Sequence, residues 1–273
     1  MFERIRYQNH LGEILDFGKC GLFVEENDLR SFAWEVQVTG DRITGFSRGM
    51  TQKALPVSVA FRNPAYVREL KTRLFEFCEK DVIAKKHGKI IIGDYYLECF
   101  VTSSAKSAYA HSRDFTHFEL GITTDRPYWI TERTTQFRKI ETADEENLDY
   151  PYDYPYDYYS GGSSQRIVNS FFAPVDFRLT IFGAVNNPTI TIGGHAYKVN
   201  TVVQSGEYLT IDSADKTIIL TQNNGTKVNK FDNRDRASYI FEPIPSGASP
   251  VTWLGDFAFD LTLVEKRSEP AWI

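Results

Sequence analysis

The sequence contains few of the residues that build disulfide frameworks or metal centres. Its 3 cysteines, Cys20, Cys78 and Cys99, are odd in number and widely separated along the chain. Neither a set of disulfides nor a zinc-binding spacing follows from such a pattern. We therefore predict that all three are reduced residues that fill space in the protein interior.

Long apolar runs are also absent, and methionine is scarce. No stretch approaches the roughly 20 apolar residues that a membrane-spanning helix requires. The segment Met1–His10 has no apolar core of the kind found in signal peptides, so we expect folding in a cytoplasm. Against 2 Met the chain has 20 Phe and 15 Tyr, a bias that favours sheet faces and interfaces over helical bundles.

The motifs of common enzymes are missing as well. We find no nucleophile elbow, no His-Glu-x-x-His, no Walker loop and no Gly-x-Gly-x-x-Gly. Asp256 and Asp260 would lie about 13 Å apart on one strand, beyond the ~5–9.5 Å of glycosidase carboxylate pairs. His111 and His117 share a strand face that Asp114 does not, so no three-ligand metal site forms. The sequence predicts no enzyme, no catalytic or metal-binding residue and no cofactor.

The charge of the chain is unevenly distributed. The net charge is −5, yet residues 1–140 carry 21 bases and 18 acids, while residues 141–165 carry 7 acids and no base. The acidity is thus confined to one segment, and neither flanking region has the basic surface of a nucleic-acid binder.

The first 144 residues show strand patterns interrupted by one helix. Phe32, Trp34, Val36 and Val38 alternate with polar residues, which predicts a strand with one apolar face. Asn63-Pro64 is a typical helix start, and the apolar spacing that follows predicts a helix at about 64–80. Residues Ile90–Val101, with a Gly93-Asp94 turn, indicate a hairpin.

Residues 165–273 show only short strands and turns, which indicates a β-sandwich. Between the two regions lies an acidic Tyr/Pro segment, 145–164, in which prolines forbid helix. We therefore predict a mainly β protein with three parts: an N-terminal β domain at 1–144, a linker at 145–164 and a C-terminal sandwich at 165–273.

The tyrosines of the linker carry too much apolar area for a freely hydrated segment. We expect them to pack against their own or a neighbouring subunit, since tyrosine is common in interfaces. The predicted inter-subunit contacts are the linker residues together with residues of the Ile90–Val101 hairpin, namely Tyr150, Tyr152, Tyr154, Tyr156 and Tyr158, and Ile91, Tyr95 and Tyr96.

Three fragments in order resemble the distal tail (Dit) proteins of long-tailed phages. The first is the linker run Tyr150–Asp157. The second consists of Asn187–Ile192 followed by Gly206–Asp212, and the third consists of Ile244–Gly247 followed by Glu265–Trp272. The resemblance is firmest over 145–273. It implies an N-terminal ring-forming domain and a C-terminal galectin-like or jelly-roll-like sandwich, although fold alone does not carry function.

What the resemblance further implies is a virion protein of the tail tip or baseplate. Six copies would form a ring that connects the tail tube protein to a tail-associated tip or lysin protein, with receptor-binding proteins as further partners. DNA would pass through the lumen without specific contact, and no membrane would be involved. The alternative is a carbohydrate-binding module that recognises host cell-wall polysaccharide.

Overall fold

A computed structural model describes residues 4–19, 21–60, 64–107, 115–139 and 165–272. The chain forms two compact units, one made of residues 1–131 with 266–273 and the other of residues 132–265. The segment 145–164 falls outside the described residues, so its role as a linker stays a prediction. No helix in the described part is long and apolar enough to cross a bilayer.

Among its described residues, the first unit consists of antiparallel strands and one long helix. Strands β2, β1, β7 and β8 are hydrogen-bonded neighbours in that order. The second half of β8 pairs with β9, β9 pairs with β6, and β6 pairs with β3. The bounds are β1 Ile5–Gln8, β2 Ile14–Phe17, β3 Leu22–Val24, β4 Glu35–Thr39, β5 Arg42–Ser47, β6 Thr51–Ala60, α1 Pro64–Ala84, β7 Gly88–Ile92, β8 Tyr95–Ser107 and β9 Phe115–Thr124. The next strand, β10 Trp129–Phe137, begins in this unit, and its residues from Glu132 onward belong to the second unit.

Helix α1 begins at Pro64, as the sequence predicts, and ends at Ala84, four residues beyond the predicted end. Its apolar stripe, Val67, Leu70, Leu74 and Phe77, is buried against the sheet. Lys85 adopts a φ of 53°, and the amides of Lys85 and of the residue after it donate to carbonyls of the last turn, which ends the helix.

A buried carboxylate ties α1 to the β1–β2 hairpin. Asp81 is fully buried and accepts hydrogen bonds from the Tyr7 hydroxyl and from the His10 backbone amide, the latter at 2.8 Å. Burial and the neighbouring carboxylate raise the pKa of Tyr7, which keeps its hydroxyl a donor. The helix is thereby anchored at both its apolar stripe and a polar contact.

The last residues of the chain return to the first unit. Arg30 donates through Nη1 to the Pro270 carbonyl at 2.6 Å, and its guanidinium lies 4.0 Å from the Trp272 ring centroid. Arg267 donates to the Tyr95 hydroxyl at 3.0 Å. Residues 266–273 belong to the first compact unit. The predicted division into domains at 1–144 and 165–273 stays a prediction.

The second unit is a β-sandwich, as predicted. Strands β11, β20, β14 and β15 form one sheet, in that order. In the other sheet, β19, β18, β17, β12 and β21 are hydrogen-bonded neighbours, in that order. The bounds are β11 Gln165–Asn169, β12 Asp176–Phe182, β13 Val185–Asn186, β14 Thr189–Ile192, β15 His195–Lys198, β16 Val202–Val203, β17 Tyr208–Asp212, β18 Thr217–Thr221, β19 Lys227–Asn229, β20 Gly247–Thr252 and β21 Phe259–Arg267.

The sandwich core contains alternating residues of both sheets, among them Leu179, Ile211 and Leu261 from one and Ile190 and Val251 from the other. The predicted hairpin turns are present, including the two-residue Gly193-Gly194 turn that pairs Ile192 with His195. The mainly β fold class predicted from the sequence is confirmed.

Candidate functional site

A two-stranded hairpin, β4–β5, carries an apolar face in the first unit. Its register pairs Val36 with Phe46 and Val38 with Ile43, so these four side chains lie on the same face. The hairpin turns at Gly40, whose φ of +62° lies in the region that favours glycine. The sequence predicts a strand that includes Phe32, Trp34, Val36 and Val38, but β4 begins at Glu35, so only Val36 and Val38 lie in it.

This face is open to solvent. Val38, Ile43 and Phe46 are 60%, 62% and 60% exposed, and the preceding Phe32 and Trp34 are nearly half exposed. Full burial of a fully exposed side chain of this size contributes ~1.5–3 kcal/mol, so covering the exposed 60–62% of Val38, Ile43 and Phe46 would contribute about 3–5 kcal/mol in all. A contiguous exposed apolar patch of this kind marks an interaction surface.

The opposite face of the hairpin is polar and internally hydrogen-bonded. Ser47 donates to the Glu35 carboxylate and accepts from the Gln37 side-chain amide, each at 3.4 Å. Thr44 donates to the Gln37 carbonyl at 3.2 Å. The hairpin therefore has one polar face, which is favourable in solvent, and one apolar face that no described residue covers.

Arg48 lies at the base of the hairpin among aromatic rings. Its guanidinium carbon is 5.5 Å from the Trp34 ring centroid, 5.0 Å from that of Tyr128 and 5.9 Å from that of Phe32. Its Nε and Nη1 atoms are buried, and no described residue offers them a hydrogen-bond acceptor. Burial lowers the pKa of Arg48, as expected for a guanidinium without an anion beside it. An acceptor from another molecule would satisfy these donors.

A second open surface is a groove between α1 and the distal half of β8. Its volume is about 520 Å³, and Phe75, Val101 and Phe118 are among the residues that line it. Phe75 is 62% exposed. Strand β7 pairs with β8 only as far as Cys99, whereas β9 covers the other edge out to Ser107. Within the described residues, one edge of the distal half of β8 therefore has no strand beside it.

The contact residues predicted from the sequence have partners within the chain. Ile91 pairs with Tyr96 on β8 and with Arg6 on β1, so β7 is a central strand with both edges occupied. The Lys89 ammonium lies 3.9 Å from the Tyr96 ring centroid. An inter-subunit role for Ile91, Tyr95 and Tyr96 would have to use their side chains, and it stays a prediction. The five linker tyrosines lie outside the described residues.

A serine–histidine–carboxylate group occurs in the first unit but lacks the arrangement of a catalytic triad. Ser58 donates to Glu25, and His117 Nδ1 lies 3.4 Å from the Ser58 hydroxyl and 3.2 Å from Glu25 Oε1. The same ring nitrogen thus faces both partners, whereas a triad histidine uses one nitrogen for each. The three residues form a polar cluster across strands β6 and β9.

The described cysteines and acidic residues offer no further reactive group. Burial raises the pKa of Cys78 to about 12 and also raises that of Cys99, so both thiols stay protonated and inert. Cys20 and His111 lie outside the described residues. In the part of the chain that the structure covers, no cluster of His, Cys, Asp or Glu has the size needed to hold a metal ion.

No protein-family model matches the chain, and no curated protein is similar to it in sequence. Solved structures do share its fold. The Dit protein of phage SPP1, described as a paradigm of the hub adsorption apparatus in phages that infect Gram-positive bacteria, matches with a TM-score of 0.61 at 12% identity, over 98% of this chain and 100% of that chain. The chain has the fold of a phage distal tail protein.

Two structures of the phage P2 baseplate in its activated conformation match over 99% of this chain and 100% of theirs. With Ca the TM-score is 0.61 at 11% identity, and with Sr it is 0.59 at 12% identity. The resemblance to distal tail proteins expected from the sequence is thus confirmed at the level of the fold. These neighbours are hub and baseplate proteins.

Proposed function

We propose that this chain is a non-enzymatic structural component of a long-tailed phage tail tip, and that six copies close into a ring. The observation that carries the proposal is the uncovered apolar face of the β4–β5 hairpin, on a chain whose fold is that of hub proteins from end to end. Such a face does not stabilise an isolated chain, because its apolar side chains remain in water and contribute no free energy of burial.

A ring needs two different surfaces on each subunit. A closed cyclic assembly beyond a dimer joins one face of a subunit to another face of the next. The hairpin face and the α1–β8 groove are two such surfaces, both in the first unit. This arrangement favours the N-terminal unit as the ring-forming part.

The proposed partners follow from the place of a hub in a tail. The ring would connect the tail tube protein above to a tail-associated tip or lysin protein below, and receptor-binding proteins would attach at its periphery. The Glu25–Ser58–His117 cluster supports a structural role, since its geometry does not suit nucleophilic catalysis. DNA would pass through the lumen without specific contact, and no cofactor is needed.

The test is the mass of the purified chain, alone and with the tail tube protein, by mass photometry. We expect particles of six chain masses in at least one of these conditions. The double substitution Val38→Glu/Ile43→Glu should reduce these particles to single chains without loss of folding, because both side chains are exposed. The matched control Phe172→Glu changes an 83% exposed residue of the second unit and should leave the mass unchanged.

A chain that stays monomeric in every condition would contradict the ring. The alternative function, recognition of cell-wall polysaccharide by residues 165–273, makes a different prediction. It expects the full-length monomer to bind purified polysaccharide, and Val38→Glu/Ile43→Glu to leave that binding intact.

A further inference from the structure

The first unit carries two open surfaces of opposite shape. The apolar face of β4–β5 projects from a two-stranded hairpin, whereas the surface between α1 and Thr102–Lys106 is a groove. We propose that the hairpin Glu35–Ser47 of one copy seats in the α1–β8 groove of the next copy. This inference rests on the proposed ring and names the contact that would close it.

The apolar parts of the two surfaces match. The hairpin presents Val38, Ile43 and Phe46 to solvent, and the groove presents Phe75, which is 62% exposed. The groove has a volume of about 520 Å³. Docking would therefore remove both exposed apolar areas from water in one step.

Unpaired strand edges add a directional contact. Beyond Cys99, β8 has a strand on one side only within the described residues, and each hairpin strand pairs only with the other. An edge with free N–H and C=O groups is a template for a strand from another chain. Residues Thr102–Lys106 are exposed and stand at this edge. Backbone hydrogen bonds between the hairpin and β8 would fix the register of the contact.

The occupant of the groove is a second copy because every subunit offers both surfaces. A heterologous contact uses one hairpin and one groove per interface, so a closed ring leaves neither surface open. An isologous hairpin-to-hairpin dimer would cover the hairpins and leave both grooves exposed. The presence of two uncovered and complementary surfaces on one chain therefore points to the ring contact.

Two variants that break opposite sides of the contact provide the test. The hairpin variant is Val38→Glu/Ile43→Glu, and the groove variant is Phe75→Glu/Lys106→Glu; all four positions are exposed, so folding should be retained. Each variant alone should be monomeric, with association weakened by about 100-fold or more, since buried glutamates lose their hydration. Circular dichroism and urea unfolding check that each variant is folded.

The decisive measurement is the equimolar mixture of the two variants. The groove variant retains an intact hairpin and the hairpin variant an intact groove, so the mixture should form particles of two chain masses and nothing larger. A mixture that stays monomeric while the unchanged chain forms hexamers would overturn this inference and leave the ring standing. A groove variant that still forms hexamers would also overturn it. If the unchanged chain never associates, the ring and the inference fail together.

Discussion

Replacement of Arg48 by methionine separates the stability of the single chain from its ability to associate. The guanidinium lies among three aromatic rings, and two of its nitrogens are buried without an acceptor in the described structure. Methionine fills a similar volume, makes favourable sulfur–aromatic contacts and has no donor to satisfy. The single chain should therefore tolerate the change, whereas an assembly that supplies an acceptor should not.

The estimated free energies predict that Arg48→Met has little effect on the folding of the single chain but weakens its association. Each buried unsatisfied donor costs about 1–3 kcal/mol, so removal of Nε and Nη1 relieves about 2–6 kcal/mol. Loss of three cation–π contacts costs about 0.5–1 kcal/mol each, and methionine recovers part of this. The free energy of unfolding of the isolated chain should fall by less than about 1 kcal/mol or rise. In the proposed ring, where a neighbouring chain would offer an acceptor to Arg48, loss of hydrogen bonds to a charged group would cost about 1.5–3 kcal/mol, roughly a 10- to 100-fold rise in Kd.

The assay combines urea unfolding of the dilute monomer with mass photometry across a concentration series. The matched control is Arg236→Met, which removes an exposed guanidinium from the second unit and should change neither quantity. A loss of more than about 2 kcal/mol of unfolding free energy with unchanged association would refute the reasoning, because it would show that Arg48 stabilises the single chain and has no role between chains.

Other substitutions probe the core, the thiols and a buried phenol. Leu179→Ala should lower the free energy of unfolding by about 2–5 kcal/mol, while Leu254→Ala, at an 87% exposed position, should change it by less than about 0.5 kcal/mol. In a Cys20→Ser variant the two buried thiols should react with a thiol reagent only after unfolding; rapid labelling of the folded chain would contradict their raised pKa values. Burial raises the pKa of Tyr197 above its unfolded value of about 10, so stability should decline above that pH, and Tyr197→Phe should flatten the decline.

The local elements of the fold follow from the sequence because their signals are short-range. Asn63-Pro64 predicts the start of α1 at the residue where the structure has it, and Gly93-Asp94 and Gly193-Gly194 predict two-residue hairpin turns with the observed pairing. Period-2 alternation likewise predicts which residues of β9 and β12 are buried. These features depend on neighbours within a few positions, which a sequence displays directly.

The candidate site could not be predicted because a sequence pattern does not show whether an apolar face is covered. Alternation at Phe32–Val38 predicts an apolar face correctly, but the same pattern serves for a face buried in a core and for one buried between chains. The contacts of the C-terminal residues with Arg30 were equally invisible, since they join positions about 240 residues apart. Sequence reasoning instead selected the tyrosine-rich segment and the β7–β8 hairpin, where aromatic composition was conspicuous.

Two independent physical penalties meet on one small surface, and this coincidence argues for a missing neighbour. An apolar hairpin face left in water forgoes burial energy, and the buried Nε and Nη1 of Arg48 lose their hydration without a hydrogen-bond acceptor among the described residues. Either feature alone occurs in monomeric proteins, where a few such imperfections are tolerated. Trp34 belongs to both, because it extends the apolar face and contacts Arg48. A neighbouring chain that covers the face and offers an acceptor to Arg48 would remove both penalties at once.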